Sequence, residues 1–452
     1  EALFAQAGIV AVAGLGELVE AAALLASQPV PAGDRVAVVS NAGGGGVLAA
    51  DACTDHGLRV ATLSKATQRR LRGLLPPGAA LAGPVDTTAA VGTDAFRLCL
   101  EEVAADEGVD AVLAVTVPTA IADLTAALRT AQVSKPFLAA PLDQAEVVQM
   151  LPRSRTGSLA PDGETPAATP GPETIPGYAY PESAARALGH AVRYHAWRER
   201  QHGCVPELSD TRPGEARALV SAFLARHPTG GWLSAPAVGD LLSCYGIPQV
   251  TTRLAASEED AVTMAAAFGG PVVLKAQVSG LIHKSDVGAV RLDLHGEDEV
   301  RKAFGELSAA FGSRLNGVLV QPMLSGVELL VGVVQEPVFG PLVVFGLGGV
   351  ATEVLDDYAA RLTPLTDTDA DDLIHGVHAA PLLFGHRGTP AVHTTALTSI
   401  LLRVSRLADD LPEIAELDLN PVIAGPDGAC AVDARIRISP AQPQDPFLRK
   451  LR

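Results

Sequence analysis

PVVLKAQVSGLIHKSDVGAVRLD, residues 271–293, begins with an apolar run, Val272-Val273-Leu274, that carries Lys275 at its polar end. A cation on a buried strand is costly unless an anion meets it. Ala276 to Ile282 follows, with Ser279-Gly280 as a turn signal, and then His283-Lys284-Ser285-Asp286 and Gly288. A second run places apolar residues at alternate positions, Val290, Leu292 and Leu294. The spacing predicts two strands joined by a polar, glycine-containing loop with Lys275 and His283 at its rims, a shape suited to covering a polyphosphate. An ordinary β-hairpin with a solvated loop explains the same residues.

The chain around this stretch has 452 residues, enough for about three domains. It is 48% hydrophobic and can bury a sizeable core. With 34 basic and 51 acidic residues its net charge is −17, which argues against nucleic acid and against an anionic membrane surface as partners. An anionic nucleotide stays open to it where lysine, metal and backbone N–H groups gather locally. Five scattered cysteines, Cys53, Cys99, Cys204, Cys244 and Cys430, show no metal-type pairing and are expected to be reduced, as in a cytoplasmic protein. No apolar run has the length of a membrane span, and the absence of an initiator methionine at Glu1 suggests a piece of a longer protein.

Composition and periodicity divide the chain into residues 1–151, a linker at 152–181, a helical connector at 182–229, a second domain at 230–440 and a tail at 441–452. The linker is marked by Pro152, Pro161, Pro166, Pro170, Pro172, Pro176 and Pro181. In the first domain, strands are expected at Gly8–Val12, Asp34–Ser40, Ala111–Val117 and Pro136–Ala140, with helices between them and a last helix at 144–151. Alternation of this kind implies an α/β fold with a parallel sheet and a ligand edge at the carboxyl ends of its strands. Gly43, Gly44, Gly45 and Gly46 follow the second of these strands as a turn that leads into a helix expected at Val47 to His56. Free N–H groups and a positive helix end at such a turn attract phosphate, and a tight turn without a ligand is the alternative. Asp86 and Thr119 are expected on the same edge, where Asp86 could instead cap a helix.

In the second domain, Gly317 to Met323 reads as a strand whose end, with Val320, Gln321 and Met323, could line an adenine pocket. Glu416 to Val422 and Ala431 to Arg435 read as an antiparallel pair. Alternation places Glu416, Asp418 and Asn420 on one face, with Asp433 opposite. Carboxylate and amide oxygens on rigid strands suit Mg²⁺, which keeps several waters and shares its other positions with phosphates.

LKAQVSGLIHKSDVGAV, VLVQPM, FGLGG and ELDLNPV…VDAR, within residues 230–440, together resemble the ATP-grasp part of NDP-forming acyl-CoA synthetases, relatives of succinyl-CoA synthetase. VAVVSNAGGGGVLAADA and GPVD, within residues 1–151, resemble the flavodoxin-like ligase domain of the same family. The resemblance implies interconversion of acyl-CoA, ADP and phosphate with carboxylate, CoA and ATP through a phosphohistidine. Lys275 would then hold nucleotide phosphates, Asn420 and Asp433 would ligate Mg²⁺, and Asp418 would steady the phosphohistidine loop. His283 would relay the phosphoryl group, and the turn Gly43 to Gly46 would receive the phosphohistidine. CoA or acyl-CoA would be bound by a domain or subunit outside these residues, which would also bring the phosphohistidine.

The family's Ser-His-Thr-Gly loop does not occur in the chain, and Gly83 stands where the family has Asn before Pro-Val-Asp. A homo-oligomer is expected by the same resemblance. A second reading makes the chain a regulatory, nucleotide- or acyl-CoA-sensing module fused to a GNAT-type lysine acetyltransferase.

Overall fold

The computed structural model describes residues 2–154, 173–278, 288–349, 357–388 and 390–441. The chain forms two compact units, residues 3–200 and 201–452. The first unit contains β1 (Arg35–Ser40), β2 (Arg59–Val60), β3 (Val85–Asp86), β4 (Ala111–Thr116), β5 (Phe137–Pro141), β6 (Val148–Pro152) and β7 (Thr174–Tyr178). The second contains β8 (Gly231–Trp232), β9 (Arg253–Ala255), β10 (Val272–Val278), β11 (Val290–Leu294), β12 (Leu315–Pro322), β13 (Val327–Glu336), β14 (Gly340–Leu347), β15 (Tyr358–Leu362), β16 (Ile414–Gly425), β17 (Gly428–Ala431) and β18 (Ala434–Ile438).

In the first unit the strands run in the order β2-β1-β4-β5-β7-β6, with β3 pairing the far end of β1. All pairings are parallel except that of β6 with β7. The central strands β1 and β4 are buried along almost their whole length, because helices cover both faces of the sheet. One face packs Leu71, Phe96, Leu100 and Leu128 against Val39 and Val112. The other packs Leu24, Ala49, Cys53 and Leu188 against Val36 and Leu113. Each large apolar side chain removed from water there contributes roughly 1.5–3 kcal/mol.

The first unit departs from expectation in several places. Residues 9–12 carry a β-branched pattern but join no strand. Val148–Pro152, expected as the end of a helix, is strand β6, because Thr174–Tyr178 supplies an antiparallel neighbour from inside the proline-rich stretch. The linker reading therefore missed β7, whose Tyr178 is fully buried with its hydroxyl donating to the Glu20 carbonyl. The helix Pro181–Glu199, read as a connector, buries Ala184, Ala185, Leu188 and Ala191 in the first unit's core.

The second unit holds two antiparallel sheets. The smaller runs β11-β10-β12-β9, and the larger runs β15-β14-β13-β16-β18-β8 with β17 beside β16. The smaller sheet packs one face on the helices Glu258–Phe268 and Gly296–Phe311 through Val272, Leu274, Val318 and Val320. The larger packs Leu329, Val331, Val343, Leu417 and Leu419 on helices that include Ala235–Cys244 and Thr394–Asp410. Each sheet thus keeps a second face free of its helices. Among the described residues, no helix is long and apolar enough to cross a membrane.

Candidate functional site

Lys275 sits in the middle of β10, opposite Leu319 on β12 and Val290 on β11. Successive side chains of a strand alternate between faces, and directly opposed residues share one. With Leu274 and Val320 in the helix-covered core, Lys275, Leu319, Val273 and Gln321 fall on the other face. Lys275 is only 6% exposed, and its Nζ donates to the Val432 carbonyl at 3.1 Å.

The acceptor belongs to a bend between β17 and β18, so this contact joins the two sheets of the unit. Gln321 reinforces it: Nε2 donates to Thr252 Oγ1 at 2.8 Å and to the same Val432 carbonyl at 3.3 Å. The Gln321 Oε1 atom is buried and has no hydrogen-bond partner. An amide oxygen left unmatched in the interior is costly, and a donor arriving there would remove that cost.

Asp433 follows Val432 directly. Its carbonyl accepts the Asn420 N–H at 3.2 Å, the Val432 N–H reaches the Pro421 carbonyl at 2.9 Å, and the Asp433 Oδ1 accepts the Ala434 N–H at 3.0 Å. Lys275, Asn420 and Asp433 are thus linked through two adjacent residues of one bend. Asp418 lies one step along β16, opposite Gly332 on β13 and Arg435 on β18. Among the described residues, no group of three or more His, Cys, Asp or Glu side chains could hold a metal. A cation at Asn420 and Asp433 would therefore have an all-oxygen environment that draws on water or ligand oxygens, as suits Mg²⁺.

Not every expected residue belongs to this site. Val320 is fully buried in the core of the smaller sheet, on the face opposite Lys275, so it cannot touch a ligand beside Lys275. Leu319 and Val273 take its place, and counting in steps of two from the paired Lys275 would have found them. Met323 lies just beyond β12, with its N–H on the Pro271 carbonyl at 2.8 Å. His283 lies outside the described residues.

The glycines Gly43 to Gly46 lie in the first unit, as the first turn of the helix Gly43–Asp55, with no side-chain cap. None of the four has a positive φ, so their value is room and not an unusual backbone. A Cβ on Gly45 would stand 3.1 Å from Val115 Cγ1, and one on Gly43 would stand 2.9 Å from Asp86 Oδ2. Asp86 therefore already places a carboxylate at this positive helix end, while its Oδ1 accepts the Thr88 N–H at 2.8 Å. Gly44 faces open space. Gly44→Ala is expected to raise stability by about 0.5–1 kcal/mol, because alanine loses less backbone freedom in a helix. Thermal melting checks this, and a lowered melting temperature would show that the turn needs a glycine conformation.

Residues 224–438 match the ATP-grasp domain family, and residues 36–169 match the Ligase-CoA domain family. The chain is 34% identical over 443 residues to acetate–CoA ligase [ADP-forming] I of Archaeoglobus fulgidus, covering 96% of this chain and 61% of that protein. It thus spans about three fifths of that relative's length. A chain of Ca. Korarchaeum cryptofilum acetyl-coenzyme A synthetase 1, solved in complex with coenzyme A and Ca-AMPCP, is 42% identical over 49% of this chain and 99% of its own, with a TM-score of 0.46. Against the beta subunit of acetate–CoA ligase [ADP-forming] I of Pyrococcus furiosus the identity is 40% over 231 residues, half of this chain and 98% of that subunit. Likeness at that level along a relative's whole length is common descent, and the chain belongs to the family of ADP-forming acyl-CoA ligases.

Proposed function

We propose that the second unit binds ADP or ATP with Mg²⁺ and serves an NDP-forming acyl-CoA synthetase, which interconverts acyl-CoA, ADP and phosphate with carboxylate, CoA and ATP. The observation that carries this reading is the Lys275 amine on the Val432 carbonyl, next to the Asp433 that Asn420 holds. Lys275 would grip phosphate oxygens. Asn420 and Asp433 would hold Mg²⁺, which supplies charge neutralisation at the phosphates. The unmatched Gln321 Oε1 would accept from the amino group of an adenine, with Leu319, Val273 and Met323 as apolar neighbours.

Asp418 would steady the arriving histidine-bearing segment, and His283 would relay the phosphoryl group as a neutral imidazole nucleophile. The glycine turn of the first unit would receive the same segment. CoA would be bound by a domain or subunit beyond these residues. The relatives named above are ligases, which favours this reading over a sensor module of a GNAT-type acetyltransferase.

The test supplies the natural full-length protein with acyl-CoA, ADP, phosphate and Mg²⁺. Equimolar appearance of ATP and free CoA is the expected result. Nucleotide binding without ATP formation would refute the ligase reading in favour of the sensor.

A further inference from the structure

Gln321 is 4% exposed and stands opposite Val273, on the Lys275 face of the smaller sheet. Its amide has two polar neighbours, and both can only accept. The Val432 carbonyl has no hydrogen to give. The Thr252 hydroxyl donates its hydrogen to the Val250 carbonyl at 3.1 Å, so its oxygen faces Gln321 as an acceptor.

An amide turned the other way would set its oxygen against both of those acceptors. The NH₂ group is therefore held on Thr252 and Val432, at 2.8 and 3.3 Å, and Oε1 is the end left over, buried and without a partner. A glutamine at the surface can rotate to suit whichever group arrives. This one presents a fixed acceptor, and only a donor removes the cost of burying it.

Purines differ at position 6, where adenine carries an amino donor and guanine a carbonyl acceptor. We propose that Gln321 selects 6-amino purine nucleotides and rejects 6-oxo ones, so that the chain uses ADP and ATP in preference to GDP and GTP. This rests on the nucleotide-site reading above. Adenine satisfies the buried oxygen, whereas a 6-oxo purine sets one carbonyl against another and leaves both unmatched.

Titration calorimetry compares Mg²⁺-ADP, Mg²⁺-GDP and Mg²⁺-IDP, whose base is 6-oxo without the 2-amino group, on the unaltered protein, Gln321→Met and Thr252→Val. The unaltered protein should bind ADP about 30-fold or more tighter than IDP and GDP. Gln321→Met leaves the Val432 carbonyl on Lys275 and the Thr252 hydroxyl on Val250, so the fold should survive while the preference drops to about threefold or less. Thr252→Val removes one of the two ties on the amide and should lower the preference part of the way. Equal affinities of the unaltered protein for ADP and IDP overturn the proposal and leave the site reading standing. A preference that Gln321→Met keeps also overturns it, and if that variant does not fold, a preference that Thr252→Val keeps does the same. If the unaltered protein binds none of the three, the site reading falls and this one with it.

Discussion

Lys275→Ala is expected to weaken Mg²⁺-ADP binding by roughly 10- to 150-fold, the equivalent of about 1.5–3 kcal/mol for a hydrogen bond to a charged group. Lys275 is buried on the free face of β10, so its ammonium is largely removed from competing water. It also helps to tie the two sheets through Val432, and Lys275→Met separates the two roles by keeping the apolar stem. In that variant Gln321 still donates to the Val432 carbonyl, so the fold should survive with a modest loss of thermal stability. Titration calorimetry reads the affinity and thermal melting reads the tie. Unchanged affinity with a lowered melting temperature would leave Lys275 as a strut only.

Asp433→Asn is expected to raise the Mg²⁺ concentration needed for half-maximal nucleotide binding by about tenfold or more, since a magnesium ion loses its charged protein ligand. The asparagine keeps an oxygen for the Ala434 N–H, which Asp433 Oδ1 now accepts, so the bend should hold. Asn420→Ala should have a smaller effect, because a neutral amide oxygen binds the ion less strongly. A magnesium titration that Asp433→Asn leaves unchanged would move the cation elsewhere.

Much of the second unit was legible in its sequence because its signals are local. β10, β12 and β16 fall where alternation and turn residues place them. The charged residues of β16 take the face opposite Leu417 and Leu419, as a period of two requires. Val320 falls on the other face although Val-Gln-Pro-Met reads as one patch in the sequence alone. Which of its residues shares a face with Lys275 depends on antiparallel pairing with a distant strand.

The first unit shows the same limit at longer range. Val147, Val148 and Leu151 fit a helical spacing, and no nearby residue reveals the edge strand that β7 makes possible. Pro176 within β7 disguised that strand as linker, although β7 takes Pro176 opposite Met150 at a paired position. At Gly43 to Gly46 the sequence suggests a turn before a helix at Val47, whereas the helix already begins at Gly43; part of the reason for the glycines is Val115 and Asp86, which close in only once the sheet has formed.

The most direct measurement is a crystal structure of the chain grown with Mg²⁺ and ADP. Phosphate oxygens should lie within hydrogen-bond distance of the Lys275 amine, with the metal on Asn420 and Asp433. Nucleotide bound at another place, or packed side chains filling the space between those residues, would contradict it.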